Sequence, residues 1–209
     1  MESRMKGLYF TGEFNPPTVA HIELANYVRK YLDYDKVVFV PSKSKYIQGL
    51  ENNAITFTAE ERYMMLRRIS ISRPWMDISD VEIHSEDQPQ AYHFLRQMKE
   101  RGYDLKLLIG SDCLKDLEHN FSFINEIFEE FGIVVMTRNH QDVKALIDKN
   151  EFLKRNEKAI TIVQTPDRYQ DISSSKVREL AHRMREEVRE LRSILPDELE
   201  ALEEFIYQK

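Results

Sequence analysis

Cysteine is almost missing from this chain of 209 residues: there is one, Cys113. A lone cysteine excludes an internal disulfide framework and a multi-cysteine zinc site, and it suits a reducing compartment. With no nucleophile motif around it, Cys113 is expected as a small buried thiol beside Asp112. No apolar run approaches the roughly 20 residues that a membrane-spanning helix needs. The first eight residues enter a strand-like run without a signal-peptide core. A cytoplasmic location without a membrane partner is therefore expected. Positive charge is in deficit, 30 Lys and Arg against 36 Asp and Glu, for a formal net charge of −6. Such a chain has no general attraction for nucleic acid or anionic lipid, so an anionic substrate must be held by a local site. Internal repeats, low-complexity stretches and Pro/Gly/Ser linkers are absent as well. One domain over 1–209 is expected, with about 174–209 as a helical C-terminal part broken near Leu195-Pro196. Homo-oligomer formation is left open.

What the chain does have is 42% hydrophobic and 32% charged residues, the balance of a globular protein with a full core. Short apolar runs alternate with longer amphipathic stretches. Gly7–Phe10, Lys36–Pro41, Leu105–Ile109, Gly132–Met136 and Ile160–Gln164 read as buried strands, and Met76–Ile83 alternates like another. Helices are expected at about 19–32, from the capping box Thr58-Ala-Glu-Glu61 to about Ile69, and at about 90–101 before Gly102. Ser42–Phe57 reads as a long polar loop. This alternation predicts an α/β fold, Rossmann-like, with a mostly parallel sheet and helices on both faces. Ligands in such sheets gather at the carboxyl ends of the strands, which directs attention to the loops after Phe10, Val40, Ile109 and Gln164.

Two of those loops carry chemistry. The first reads Thr11-Gly-Glu-Phe-Asn-Pro-Pro-Thr-Val-Ala-His21. Gly12 permits close backbone approach, and Thr18 and His21, three apart, share one face of the helix start. A helix N-terminus favours phosphate, and an imidazole there can donate to a phosphoryl oxygen as charge builds. The plain alternative is a capped helix whose histidine packs on the sheet. The second segment, Asp171-Ile-Ser-Ser-Ser-Lys-Val-Arg178, opens another helix with three hydroxyls and two cations. Its plain alternative is a serine cap with solvated basic residues. His84, His140 and His182 have no mutual metal-ligand spacing, and Trp75 reads as packing.

Taken together the two segments resemble the nucleotidyltransferases with the HxGH signature, and among them the nicotinate/nicotinamide mononucleotide adenylyltransferase family. Gly12, Phe14, Asn15, Pro16 and His21 match that family's first loop, G-G-x-F-[DN]-P-x-H-x-G-H. Ile172, Ser173, Val177 and Arg178 match its late motif I-S-x-T-x-[IV]-R, with Ser175 at the threonine place. Leu108-Ile-Gly-Ser-Asp-Cys-Leu114 looks like I-G-x-D-x-L, and Leu195-Pro-Asp-Glu-Leu with Tyr207 looks like the C-terminal L-P-x-x-V…Y.

The resemblance implies transfer of the adenylyl group of ATP to nicotinate (or nicotinamide) mononucleotide, giving a dinucleotide and pyrophosphate in NAD biosynthesis. It also implies Mg²⁺ bridging the ATP phosphates. By position, His21 would stabilise the reacting α-phosphate, with Thr18 on the ATP phosphates; Ser173, Ser175 and Arg178 would hold the departing pyrophosphate. Gly110 and Asp112 would orient the ribose, and Lys43 or Lys45 would reach a phosphate. Departures fall at Thr11, Thr18 and Ala20 in the first loop. On the acceptor side, Gln90-Ala-Tyr-His93 stands where the family has S-Y-T, leaving Tyr92 and His93 for the acceptor nucleotide. Phe121 stands near the place of a stacking tryptophan. Two other readings stay open: the same chemistry on another acceptor, such as phosphopantetheine, and a catalytically inactive ATP-binding regulatory protein on the same fold.

Overall fold

The structure, a computed structural model, describes residues 4–43, 57–86, 91–138, 140–169, 171–182 and 193–202. Six strands form its sheet: β1 (Met5–Gly12), β2 (Lys36–Pro41), β3 (Met76–Ile78), β4 (Tyr103–Gly110), β5 (Ile133–Met136) and β6 (Ile160–Val163). Their order is β3-β2-β1-β4-β5-β6, and every pairing is parallel. The order reverses between β1 and β4, and that switch point opens a crevice at the carboxyl ends of both strands.

Burial on both faces explains the continuous apolar runs of the strands. Alternate side chains go to opposite sides. Leu8, Phe10, Leu108, Val134 and Met136 join one core with the helices α1 (Val19–Tyr31), α2 (Ala59–Ser70) and α9 (Ser174–His182). Tyr9, Leu107, Ile109, Ile133 and Val135 join the other. Packed there are α4 (Ala91–Glu100), α5 (Leu117–Asn120), α6 (Ile124–Glu130), α7 (Val143–Lys149) and α8 (Glu151–Arg155). Gly102, at φ +89°, ends α4 in a left-handed conformation with open space around it. The expected capping box of α2 is formed: Glu61 N donates to Thr58 Oγ1 at 3.2 Å and Thr58 N to Glu61 Oε2 at 2.8 Å.

The expected strand Met76–Ile83 is corrected by the structure. Only Met76–Ile78 pairs with β2; the chain then turns into α3 (Val81–His84). Ser79 is the cause: its Oγ accepts from Val81 N at 3.3 Å, and Asp80 O accepts from Ile83 N, so a turn captures the backbone that a strand would offer. The turn buries the adjacent Glu82 and Ile83 together, which a strand alternating between two faces would not do. The helices α5 to α8 are each seven residues or fewer, too short for a 3.6-residue period to repeat. In the C-terminal part, Asp197–Leu202 is a 3₁₀ segment rather than α-helix, while 183–192 and 203–209 lie outside the described residues. No helix among the described residues is long and apolar enough to cross a membrane.

Candidate active site

The crevice at the switch point is a cavity of about 350 Å³. Its wall is made by the loop after β1 (Thr11–Phe14), His21 of α1, the end of β4 and the residues after it (Ile109, Gly110, Asp112, Cys113), and Phe121. Met136 and Arg138 after β5, and Ser173, Ser174, Ser175 and Arg178 at the start of α9, complete it. Residues from opposite ends of the chain therefore meet at two helix N-termini, where free N–H groups favour an anion.

The loop after β1 is fixed from both sides. Phe14 adopts a left-handed φ of 47°, and its ring meets that of His21 edge-on at 5.2 Å and that of Phe10 at 5.3 Å. Asn15 is buried; its Oδ1 accepts from Phe57 N at 3.0 Å and its carbonyl from Arg178 Nη1 at 2.8 Å. Ser174 Oγ donates to Pro16 O at 2.8 Å, tying the same loop to α9. Asn15 thus builds the loop rather than facing the cavity.

Thr18 and His21 form the N-terminal cap of α1. Thr18 N donates to His21 Nδ1 at 3.0 Å, Thr18 Oγ1 lies 2.9 Å from the same nitrogen, and His21 N points at Thr18 Oγ1. Because Nδ1 accepts, the proton of the neutral ring sits on Nε2, on the opposite edge. Desolvation, and then the nearby Arg138 charge, hold the His21 pKa at about 3, so the imidazole is neutral across the physiological range. Thr18 is fully buried and outside the cavity lining. Its hydroxyl grips the imidazole.

Arg178, expected on the departing pyrophosphate, lines the cavity and also has protein partners. Burial lowers its pKa, and its Nη1 and Nη2 already donate to Asn15 O and, at 3.0 Å, to Ser175 Oγ. It lends the cavity positive charge while bracing the loop. Ser173 precedes α9 and caps it, its Oγ accepting from Lys176 N at 3.2 Å. Gly110 lies where an added Cβ would collide with the Asp112 carboxylate and stand 3.0 Å from Arg138 Cδ. Cys113 opens to the cavity instead of being buried. Desolvation where it meets the protein, and then the Asp112 charge, push its thiol upward, which favours the protonated form.

Arg138 is the cavity cation that sequence reasoning missed. Its Nη2 donates to Ile172 O at 3.1 Å, its Nη1 stands 3.8 Å from Asp112 Oδ2, and its Nε is buried without a partner among the described residues. Ser111 Oγ bonds both the N–H and the carbonyl of Arg138, joining the loops after β4 and β5. The rule that points to strand ends would have found Arg138, since it lies two residues past Met136.

On the expected acceptor side only Phe121 lines the cavity. Tyr92 and His93 stand apart from that lining in an aromatic group with Phe123, whose ring stacks on Tyr92 at 5.3 Å and meets His93 at 5.1 Å. Tyr92 Oη donates to Glu130 at 2.7 Å. Lys43 Nζ donates to Ser85 O and is likewise not in the lining, and Lys45 lies outside the described residues.

A doubly faced parallel sheet with an anion-suited cleft at its switch point defines an α/β nucleotide-binding protein. The sequence profile of the cytidylyltransferase-like family matches residues 9–180. The chain is 30% identical to the probable nicotinate-nucleotide adenylyltransferase of Clostridium perfringens over 83% of its length and 84% of that protein's. It is also 30% identical to that of Fusobacterium nucleatum, over 83% and 86%. Among solved structures, Plasmodium falciparum nicotinic acid mononucleotide adenylyltransferase complexed with NaAD has the same fold, with a TM-score of 0.71 at 18% identity, covering 96% of this chain and 95% of that one. This chain belongs to the cytidylyltransferase-like family and, within it, to the nicotinate-nucleotide adenylyltransferase group.

Proposed function

We propose that the protein transfers the adenylyl group of ATP to nicotinate mononucleotide, forming the dinucleotide and pyrophosphate in NAD biosynthesis in the cytoplasm. The observation that carries this reading is the neutral His21. Its Nδ1 is locked into the α1 cap, and its ring lines the cavity beside Arg138 and the start of α9. A phosphate oxygen of the acceptor attacks the α-phosphorus of ATP, and the bond from that phosphorus to the β-bridging oxygen breaks. No bond to the enzyme forms, so catalysis is positioning and charge stabilisation.

Each residue then has a task. His21 Nε2–H donates to an α-phosphate oxygen as negative charge grows there. Arg138, Arg178, Ser173 and Ser175 surround the β- and γ-phosphates with donors and positive charge, and Gly110 and Asp112 hold the ATP ribose. Gly12 lets the backbone approach the phosphates. Mg²⁺ would come with the ATP substrate and would supply positive charge to offset that of the triphosphate. Glu13 and Asp112, the carboxylates in the described cavity lining, fit an ion delivered in that way better than a dedicated protein cage. On the acceptor, Phe121 offers a ring face, and the Tyr92–His93–Phe123 group stands beyond it; Lys43 or Lys45 meets the acceptor phosphate.

The nicotinate form is preferred because the relatives named above act on it by name. The position of Tyr92 and His93 outside the cavity lining keeps one second reading, the same transfer to a different phosphate acceptor. The test is pyrophosphate release from ATP and Mg²⁺ with nicotinate mononucleotide, nicotinamide mononucleotide or phosphopantetheine added separately. Fastest release with the first is expected. Release with phosphopantetheine alone supports the second reading, and ATP binding with no release in any mixture indicates an inactive binder.

A further inference from the structure

Arg62 stands in the first turn of α2, fully buried, at a helix end that disfavours a cation. The helix dipole disfavours positive charge near an N-terminus, and removing a guanidinium from water is costly. An apolar side chain of similar volume would fill the space without that penalty. Burial does lower its pKa to about 10, partly offset by Glu13 and Glu60, and this leaves it cationic at neutral pH.

What the guanidinium meets accounts for its presence. It donates to three backbone carbonyls on three segments: Nη1 to Glu13 O at 2.5 Å, Nη2 to Ser42 O at 2.6 Å and Nε to Phe57 O at 3.2 Å. Glu13 lies between Gly12 and Phe14 in the cavity wall, and Ser42 directly precedes Lys43. The same segments are cross-tied by Ser42 N to Gly12 O at 2.9 Å and by Phe57 N to Asn15 Oδ1 at 3.0 Å. Arg178 grips the Asn15 carbonyl from the α9 side. The β1 loop therefore hangs between two buried guanidiniums that hold carbonyls two residues apart.

From this geometry we infer that Arg62 is a positioning residue for adenylyl transfer: it sets the β1 loop, and with it the Phe14 ring that rests on His21, against the segment after β2. The inference rests on the reaction proposed above. A planar fork reaching three carbonyls has no equivalent in a lysine ammonium, so Arg62→Lys keeps the charge and loses the brace.

The test compares Arg62→Lys with Ile69→Val, a core change two turns along the same helix, using two readouts. The first is kcat at saturating ATP and acceptor, per folded molecule. Arg62→Lys is expected to lower it about tenfold or more, since small misplacement of reacting groups is heavily penalised, while Ile69→Val leaves it unchanged. The second is hydrogen exchange at the Ser42 and Phe57 amides, expected to quicken in Arg62→Lys while the amides of β1 and β4 keep their protection. Where the lysine variant does not fold, Arg62→Met carries the same readouts. Unchanged exchange at both amides, or quickened exchange with wild-type kcat, overturns the inference. A wild type that transfers nothing sinks the reaction instead, and the exchange data then judge the brace alone.

Discussion

The crevice and the aromatic group outside its lining are built differently. On the side given to ATP, Phe14, Asn15, Thr18 and Arg178 are all buried, and hydrogen bonds cross between the β1 loop, α1 and α9. In the aromatic group outside the cavity lining, proposed for the acceptor, Phe123 is 47% exposed, His93 is exposed, and aromatic contacts replace cross-bracing. Phosphoryl chemistry needs donors fixed before charge develops, because reorganising them during the reaction raises the barrier. Choosing an acceptor requires only a shaped contact with its ring. Under the proposed function the reaction belongs to the buried region and the choice of acceptor to the open one, so substitutions in the two should fail in different ways.

The largest effect is expected from His21→Ala, which removes the donor to the reacting phosphate and should lower kcat by about 10²-fold or more. Steady-state rates at saturating substrates check it; a near-wild-type kcat would break the comparison at its strongest point. Arg138→Met should raise the KM for ATP by roughly tenfold, as loss of a charge-assisted contact does, with little change for the acceptor. Arg178→Ala should weaken ATP as well, and its melting temperature should also drop, because Asn15 O and Ser175 Oγ lose a buried donor.

pH separates the halves further. His21 has a folded pKa of about 3 against an ordinary value of 6.5, so between those values the unfolded chain binds more protons. The stability carried by the neutral imidazole is therefore complete above about pH 6.5 and lost progressively as pH falls toward 3. Denaturant melts at several pH values should show this slope in the wild type and a shallower one in His21→Asn. The smallest effects belong to the open side. Phe121→Ala should raise the acceptor KM by about three- to tenfold, the range of one aromatic contact, and leave the ATP KM alone. Phe123→Ala should do less.

The same division governs how much could be read in advance. The five long apolar runs, the switch-point logic and both phosphate-side segments were legible because buried parallel strands and helix starts impose short-range patterns, and His21, Gly110, Asp112, Ser173, Ser175 and Arg178 do line one cavity. Harder to see were bonds between distant segments. That Thr18 holds an imidazole, that Arg178 holds Asn15 and that Arg62 holds three carbonyls are matters of tertiary geometry. No periodicity encodes them. Arg138 could have been found by its place after a strand end. The departure of Tyr92 and His93 from the cavity lining could not, since it depends on where α4 packs against α6.

A histidine kept neutral, with its proton on Nε2, stands at the seat of the proposed reaction. Nitrogen-15 NMR of the His21 ring from pH 4.5 to 8 tests this most directly. Nitrogen shifts of one neutral ring, protonated at Nε2 and unchanged across that range, are predicted. A ring that titrates near pH 6.5, or carries its proton on Nδ1, would contradict the account.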